Sequence, residues 1–101
     1  MNWLKQAKIK IEVGDRGGEG TTLHNIGMIF FAQRNIHAGL ACILLAKRLY
    51  EQVESSLDVD HEVGVLNSLR SSLGEKQFSE LLKNVEPQAQ SIIDDVLHDL
   101  S

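Results

Sequence analysis

Leu23-His24-Asn25-Ile26-Gly27-Met28-Ile29-Phe30 is the stretch that decides the fold. Leu23, Ile26, Gly27 and Phe30 recur at i, i+3, i+4 and i+7, the stripe of a helix packed along one side. Upstream, the glycines between Gly14 and Gly20 predict a turn, with Gly14 suited to the left-handed position after a first short helix that carries Leu4, Ala7 and Ile11. Downstream, the stripe ends around Arg34-Asn35. A third helix is expected from about Ile36 to Glu54, rich in the small residues Ala38, Gly39, Ala41, Cys42 and Ala46. Small residues along one face let a neighbouring helix come close.

The second half keeps the same rhythm. Asp58 or Asp60 is placed to cap a fourth helix carrying Val63, Leu66, Leu69 and Leu73, and Gly74 breaks it. Phe78, Leu81, Leu82 and Val85 form a fifth stripe. Pro87 suits the first turn of a sixth helix, which buries Ile92, Ile93, Val96, Leu97 and Leu100 and turns Asp94, Asp95 and Asp99 to water. No segment alternates as a half-buried strand does. The expectation is an all-α chain of about six helices.

Within a frame of about 34 residues starting at Gly20, Leu23, Ile26, Gly27 and Phe30 fall on the first-helix signature of a tetratricopeptide repeat, and Gly39, Ile43 and Ala46 on its second-helix positions. The leader Gly14-Asp15-Arg16-Gly17-Gly18-Glu19-Gly20 resembles the longer-loop subclass of that family. The match covers residues 14–53. Shifting Glu19, Leu23, Ile26 and Phe30 by 43 positions gives Glu62, Leu66, Leu69 and Leu73, a weaker copy over residues 58–85 in which Arg70 replaces Gly27. An arginine at that contact predicts a splayed pair. Residues 87–100 resemble a solvating cap, and residues 3–13 the second helix of a repeat without its first. The resemblance implies a right-handed α-α superhelix over residues 1–101. It also implies a concave groove for a peptide or partner helix, with Thr21, His24, Asn25, Met28 and Phe31 on groove-facing positions. The Asn25 carboxamide would donate to and accept from a peptide unit of any sequence.

Composition narrows the function classes. The chain has 101 residues, 43% apolar and 24% charged, which excludes wholesale disorder. The apolar runs are shorter than a bilayer span of ~20 residues, and Lys5, Lys8 and Lys10 interrupt any secretory signal. The single cysteine, Cys42, excludes an internal disulfide framework and reads as a buried structural thiol. A cytoplasmic, non-membrane protein is expected. Residues 1–50 hold seven Lys/Arg against three Asp/Glu, and residues 51–101 hold three against eleven. That basic front lacks the continuous stripe with interleaved aromatics that nucleic acid requires.

Candidate chemistry is sparse. The glycine-rich loop lacks the Gly-Lys-Ser/Thr ending of a phosphate cradle, and Asp15 and Glu19 would repel phosphate. His24, His37, His61 and His98 form no pair at i, i+3 or i+4, so neither metal nor cofactor is expected. His24 as a base has no nucleophile or orienting carboxylate at a helical spacing. The expected function is a non-enzymatic protein-interaction module. The alternative is self-association as a dimer through Trp3, Leu4, Ala7 and Ile11 of the unpaired first helix; a small enzyme or ligand-binding bundle ranks third.

Overall fold

The computed structural model describes residues 16–100, with side chains from Gly18 to Asp95 and at His98. The expected first helix and the self-association residues Trp3, Leu4, Ala7 and Ile11 lie outside the described residues, as do the side chains of Val96, Leu97, Asp99 and Leu100. Five α-helices follow one another among the described residues: α1 (Arg16–Ala32), α2 (Ile36–Gln52), α3 (Ser56–Leu73), α4 (Glu75–Val85) and α5 (Ala89–Leu100). A 3-10 turn, Glu86–Gln88, joins the last two. No strand occurs among the described residues, so the chain is all-helical as far as it is described.

Helix α1 and helix α2 form the most extensive pairing. Gly27 lies at their crossing, where a Cβ atom would stand 2.9 Å from Cys42 Cβ and 3.2 Å from the Gly39 carbonyl oxygen. Leu23, Ile26 and Phe30 fill the space beside this contact. The turn expected over Gly14–Gly20 is corrected by α1, which is already helical from Arg16. Gly20 is there for close approach instead. A Cβ on it would meet the Tyr50 ring at 3.0 Å.

The two corners on either side of α2 share one design. Asn35 donates its backbone N–H to Phe30 O, and Ser55 donates to Tyr50 O, at 2.8 and 3.0 Å. Arg34 and Glu54 take positive φ values of 64° and 58°, the left-handed residue that closes a helix end. These corners end the helices at Ala32 and Gln52, slightly before the expected Arg34-Asn35 and Glu54. Asn35 then caps α2 by accepting from Ala38 N. The N-cap of α3 is Ser55 rather than Asp58 or Asp60. Asp58 falls instead in the first turn, where it accepts a 2.5 Å hydrogen bond from Ser55 Oγ and complements the positive end of the helix. Gly74 ends α3 with φ at 90°, as its position in the pattern requires.

Helix α2 is the hub. Ala38, Leu40, Ala41, Cys42, Ile43, Leu45, Ala46 and Tyr50 are buried over most of its circumference, leaving His37, Arg48 and Glu51 along one exposed strip. It touches α1, α3, α4 and α5. Helix α3 lays Val59, Leu66 and Leu69 on this core, α4 contributes Phe78 and Val85, and α5 contributes Ala89 and Ile93. Val63 does not join the stripe. It is exposed, because the inward position at that level belongs to its neighbour Glu62. Helices α3 and α4 share a much smaller contact than α1 and α2. Arg70, at the position equivalent to Gly27, stays at the surface, with its guanidinium 5.0 Å above the Phe78 ring and its Nε 3.5 Å from Glu75.

Candidate functional site

The periodicity of α1 turns Thr21, Asn25, Met28 and Ala32 away from the core, and all four are exposed. Met28 has 43% of its surface in water, an unusual load for an apolar side chain, and Ile29 beside it is also exposed. Asn25 stands between Thr21 and Met28 with its carboxamide at the surface. The other two groove-facing candidates lie on one flank of the helix. Phe31 is half-buried over Gly39, where a Cβ would come within 2.6 Å of its ring. His24 is half-buried against α3. The five candidates therefore do not form one open face. Three are outward, and two are packed against neighbouring helices.

The packing of α1 beside α3 assembles a polar pocket that spacing along a single helix cannot reveal. Thr21 and His24 come from α1, Tyr50 from α2, and Asp58, His61 and Glu62 from α3. The pocket is open on the side of the exposed Thr21, Asp58 and His61, and its volume is about 170 Å³. Glu62 is only 1% exposed, and its Oε1 lies 2.5 Å from His24 Nδ1. The two groups touch without the alignment of a donor and acceptor, and Glu62 Oε2 is buried with no hydrogen-bond partner. His61 sets its ring edge-on to His24, with centroids 4.9 Å apart. Thr21 Oγ1 and Tyr50 Oη share a 2.9 Å hydrogen bond at the pocket wall.

Burial dominates the electrostatics here. Removal from water raises the Glu62 carboxyl above its usual range, against the pull of His24 and His61, which favours the ionised form, while Asp58 adds a like charge. Burial also raises the Tyr50 phenol, with the Thr21 hydrogen bond opposing. The structure thus supplies His24 with a carboxylate that its own helix does not offer at a helical spacing. No group of three or more His, Cys, Asp or Glu side chains among the described residues is arranged to hold a metal. Cys42 sits at the α1–α2 crossing rather than at a surface, and burial pushes its thiol up to about 12.

One sequence signal did point to Glu62. It occupies the first position of the Glu62, Leu66, Leu69, Leu73 stripe and is the shifted equivalent of Glu19. Both carboxylates are buried. An acidic residue on an apolar stripe marks either a surface edge or a buried polar site, and only the partner from α1 distinguishes the two. A second, shallower depression of about 390 Å³ lies between the α1–α2 corner and α4, lined by Arg34, Ile36, His37, Leu73 and Leu81 among others.

Comparison of the chain with family models, curated proteins and solved structures returned no match. No helix among the described residues is long and apolar enough to cross a membrane.

Proposed function

We propose that this chain is a non-enzymatic protein-interaction module of tetratricopeptide-like design, which docks a peptide or partner helix on the outward face of α1. The observation that carries the reading is the exposed row Thr21, Asn25 and Met28, with Ile29 at its edge. A flexible thioether beside a carboxamide offers adaptable apolar contact and a backbone-pairing group in one strip. The α1–α2 hairpin supports the repeat frame, because its crossing is closed on Gly27 as that frame requires. In a right-handed superhelix, α1 and α3 would be the first helices of successive repeats, with residues 14–53 and 58–85 as the two units. Immobilised peptide arrays probed with the purified protein test the reading. Binding that falls at least ~10-fold with Met28→Asp, while the melting temperature holds, supports it. Binding indifferent to Met28 and Asn25 moves the function away from this face.

Self-association is the second reading, and exposed apolar side chains at the α2–α3 corner favour it. Leu57 is 84% exposed and Val53 is 44% exposed. Light scattering at rising concentration separates the readings. A dimer mass that reverts to monomer with Leu57→Asp, or with Trp3→Ala, would assign the chain to assembly rather than to peptide docking.

A further inference from the structure

We propose that the pocket between α1, α2 and α3 receives the cationic side chain of a lysine or arginine from the docked peptide, with Glu62 as its buried anionic acceptor and Asp58 as a second at the rim. The proposal deepens the docking reading and rests on it for the peptide. Four features of the pocket converge on a cation.

The first is the free acceptor. Glu62 lines the pocket and is almost wholly buried, and its Oε2 accepts no hydrogen bond. A buried carboxylate oxygen left in that state is costly and gains from any donor that reaches it. The second is the balance of charge. Among the described residues, the titratable groups facing Glu62 are His24 from α1, Tyr50 from α2, and Asp58 and His61 from α3. The ionised carboxylates of Glu62 and Asp58 share one pocket, so an anion is repelled and a cation drawn in. The third is chemistry matched to an ammonium or guanidinium. Thr21 Oγ1 and Tyr50 Oη add oxygen acceptors at the pocket wall. A bare metal is a poorer fit, since the described residues hold no metal-ligating group of three.

The fourth is position. Thr21 belongs both to the pocket wall and to the exposed row of α1, and it lies one helical turn, about 5.4 Å, from Asn25. A chain lying along Asn25 and Met28 passes the pocket within reach of a four-carbon side chain. The pocket offers about 170 Å³, room for a charged tip and part of its stem. Entry of a cation holds Glu62 ionised. Binding should therefore weaken as the pH falls and Glu62 takes up a proton.

The test uses single amino-acid probes on the intact chain, followed by amide NMR. Nα-acetyl-lysine methylamide and its arginine counterpart should shift Thr21, His24, His61 and Glu62 saturably. Nα-acetyl-norleucine methylamide, which keeps the stem and loses the charge, should not. Glu62→Gln should weaken the lysine or arginine probe at least ~10-fold, as expected when a charge-assisted contact becomes neutral. If Glu62→Gln does not fold, Asp58→Asn, at an exposed rim position, should still weaken binding by about 3-fold. Shifts equal for norleucine, or an affinity unchanged in a folded Glu62→Gln or in Asp58→Asn, overturn the pocket. Probe binding with a silent peptide array would keep the pocket and sink the docking reading. Peptide capture with no preference for lysine or arginine would do the reverse.

Discussion

Gly27 and Gly64 should respond in opposite directions to the same substitution. Both are interior helix positions, and alanine is the better helix former by about 1 kcal/mol. At Gly64 an added Cβ meets nothing within 4 Å, so Gly64→Ala should stabilise by ~0.5–1 kcal/mol. At Gly27 the added Cβ stands 2.9 Å from Cys42 Cβ and 3.2 Å from both Gly39 O and Ile43 Cδ1. Carbon pairs rest at ~3.5–4.0 Å, and both Cβ positions follow the backbone, so no rotamer change relieves the first contact. The helices must part by roughly 0.6–1 Å. Overpacking of this kind costs about 1–3 kcal/mol, and the propensity gain offsets only the lower end. Gly27→Ala should lose about 1 kcal/mol net, a fall of ~4–8 °C in melting temperature for a domain of this size. Gly27→Leu should lose considerably more. Thermal and urea denaturation followed by circular dichroism measure both signs. A double-mutant cycle with Cys42→Gly should show the two sites coupled by at least ~0.5 kcal/mol. If Gly27→Ala raises the melting temperature as Gly64→Ala does, the close crossing and the repeat frame built on it are wrong.

The Cys42 thiol, buried and pushed up to about 12, should resist an aromatic disulfide reagent in the native protein at about pH 8 and react at once in ~6 M urea; rapid native reaction would contradict its burial at the crossing. The Glu62 carboxyl is raised in the folded state, so its contribution to stability is fully present below its unfolded value of about 4.5 and is lost as the pH rises through the folded value. Glu62→Gln should therefore gain on the wild type in urea midpoint as the pH rises above about 4.5, and a pH-independent difference would refute this. Asn25→Ala, at an exposed position outside any hydrogen-bonded cap, should change stability by less than ~0.5 kcal/mol in urea melts. A larger loss would mean that Asn25 is structural.

Residues that act through their own helix were legible from periodicity. Leu23, Ile26 and Phe30 are buried, Gly27 closes the crossing, and Gly74 turns the chain at a positive φ. Residues that act through a neighbouring helix were not. Val63 satisfies the spacing of an apolar stripe, yet α3 is rotated so that Glu62 points inward. His24 looks free of any carboxylate until Glu62 arrives from α3. Gly20 reads as a turn former, because glycine marks both turns and tight contacts, and only the Tyr50 ring shows which role applies. The outward set Asn25 and Met28 was readable as the complement of the buried stripe. The division of Thr21, His24 and Phe31 among pocket wall, Glu62 contact and helix contact depended on tertiary packing.

The docking reading is tested most directly by one peptide array, probed in parallel with the wild type, Met28→Asp and Asn25→Ala, all shown to be folded. The wild type should bind a subset of peptides carrying lysine or arginine near apolar residues. That binding should fall at least ~10-fold with Met28→Asp and measurably with Asn25→Ala. Equal binding by all three proteins, or no binding by the wild type, would contradict a docking face on α1.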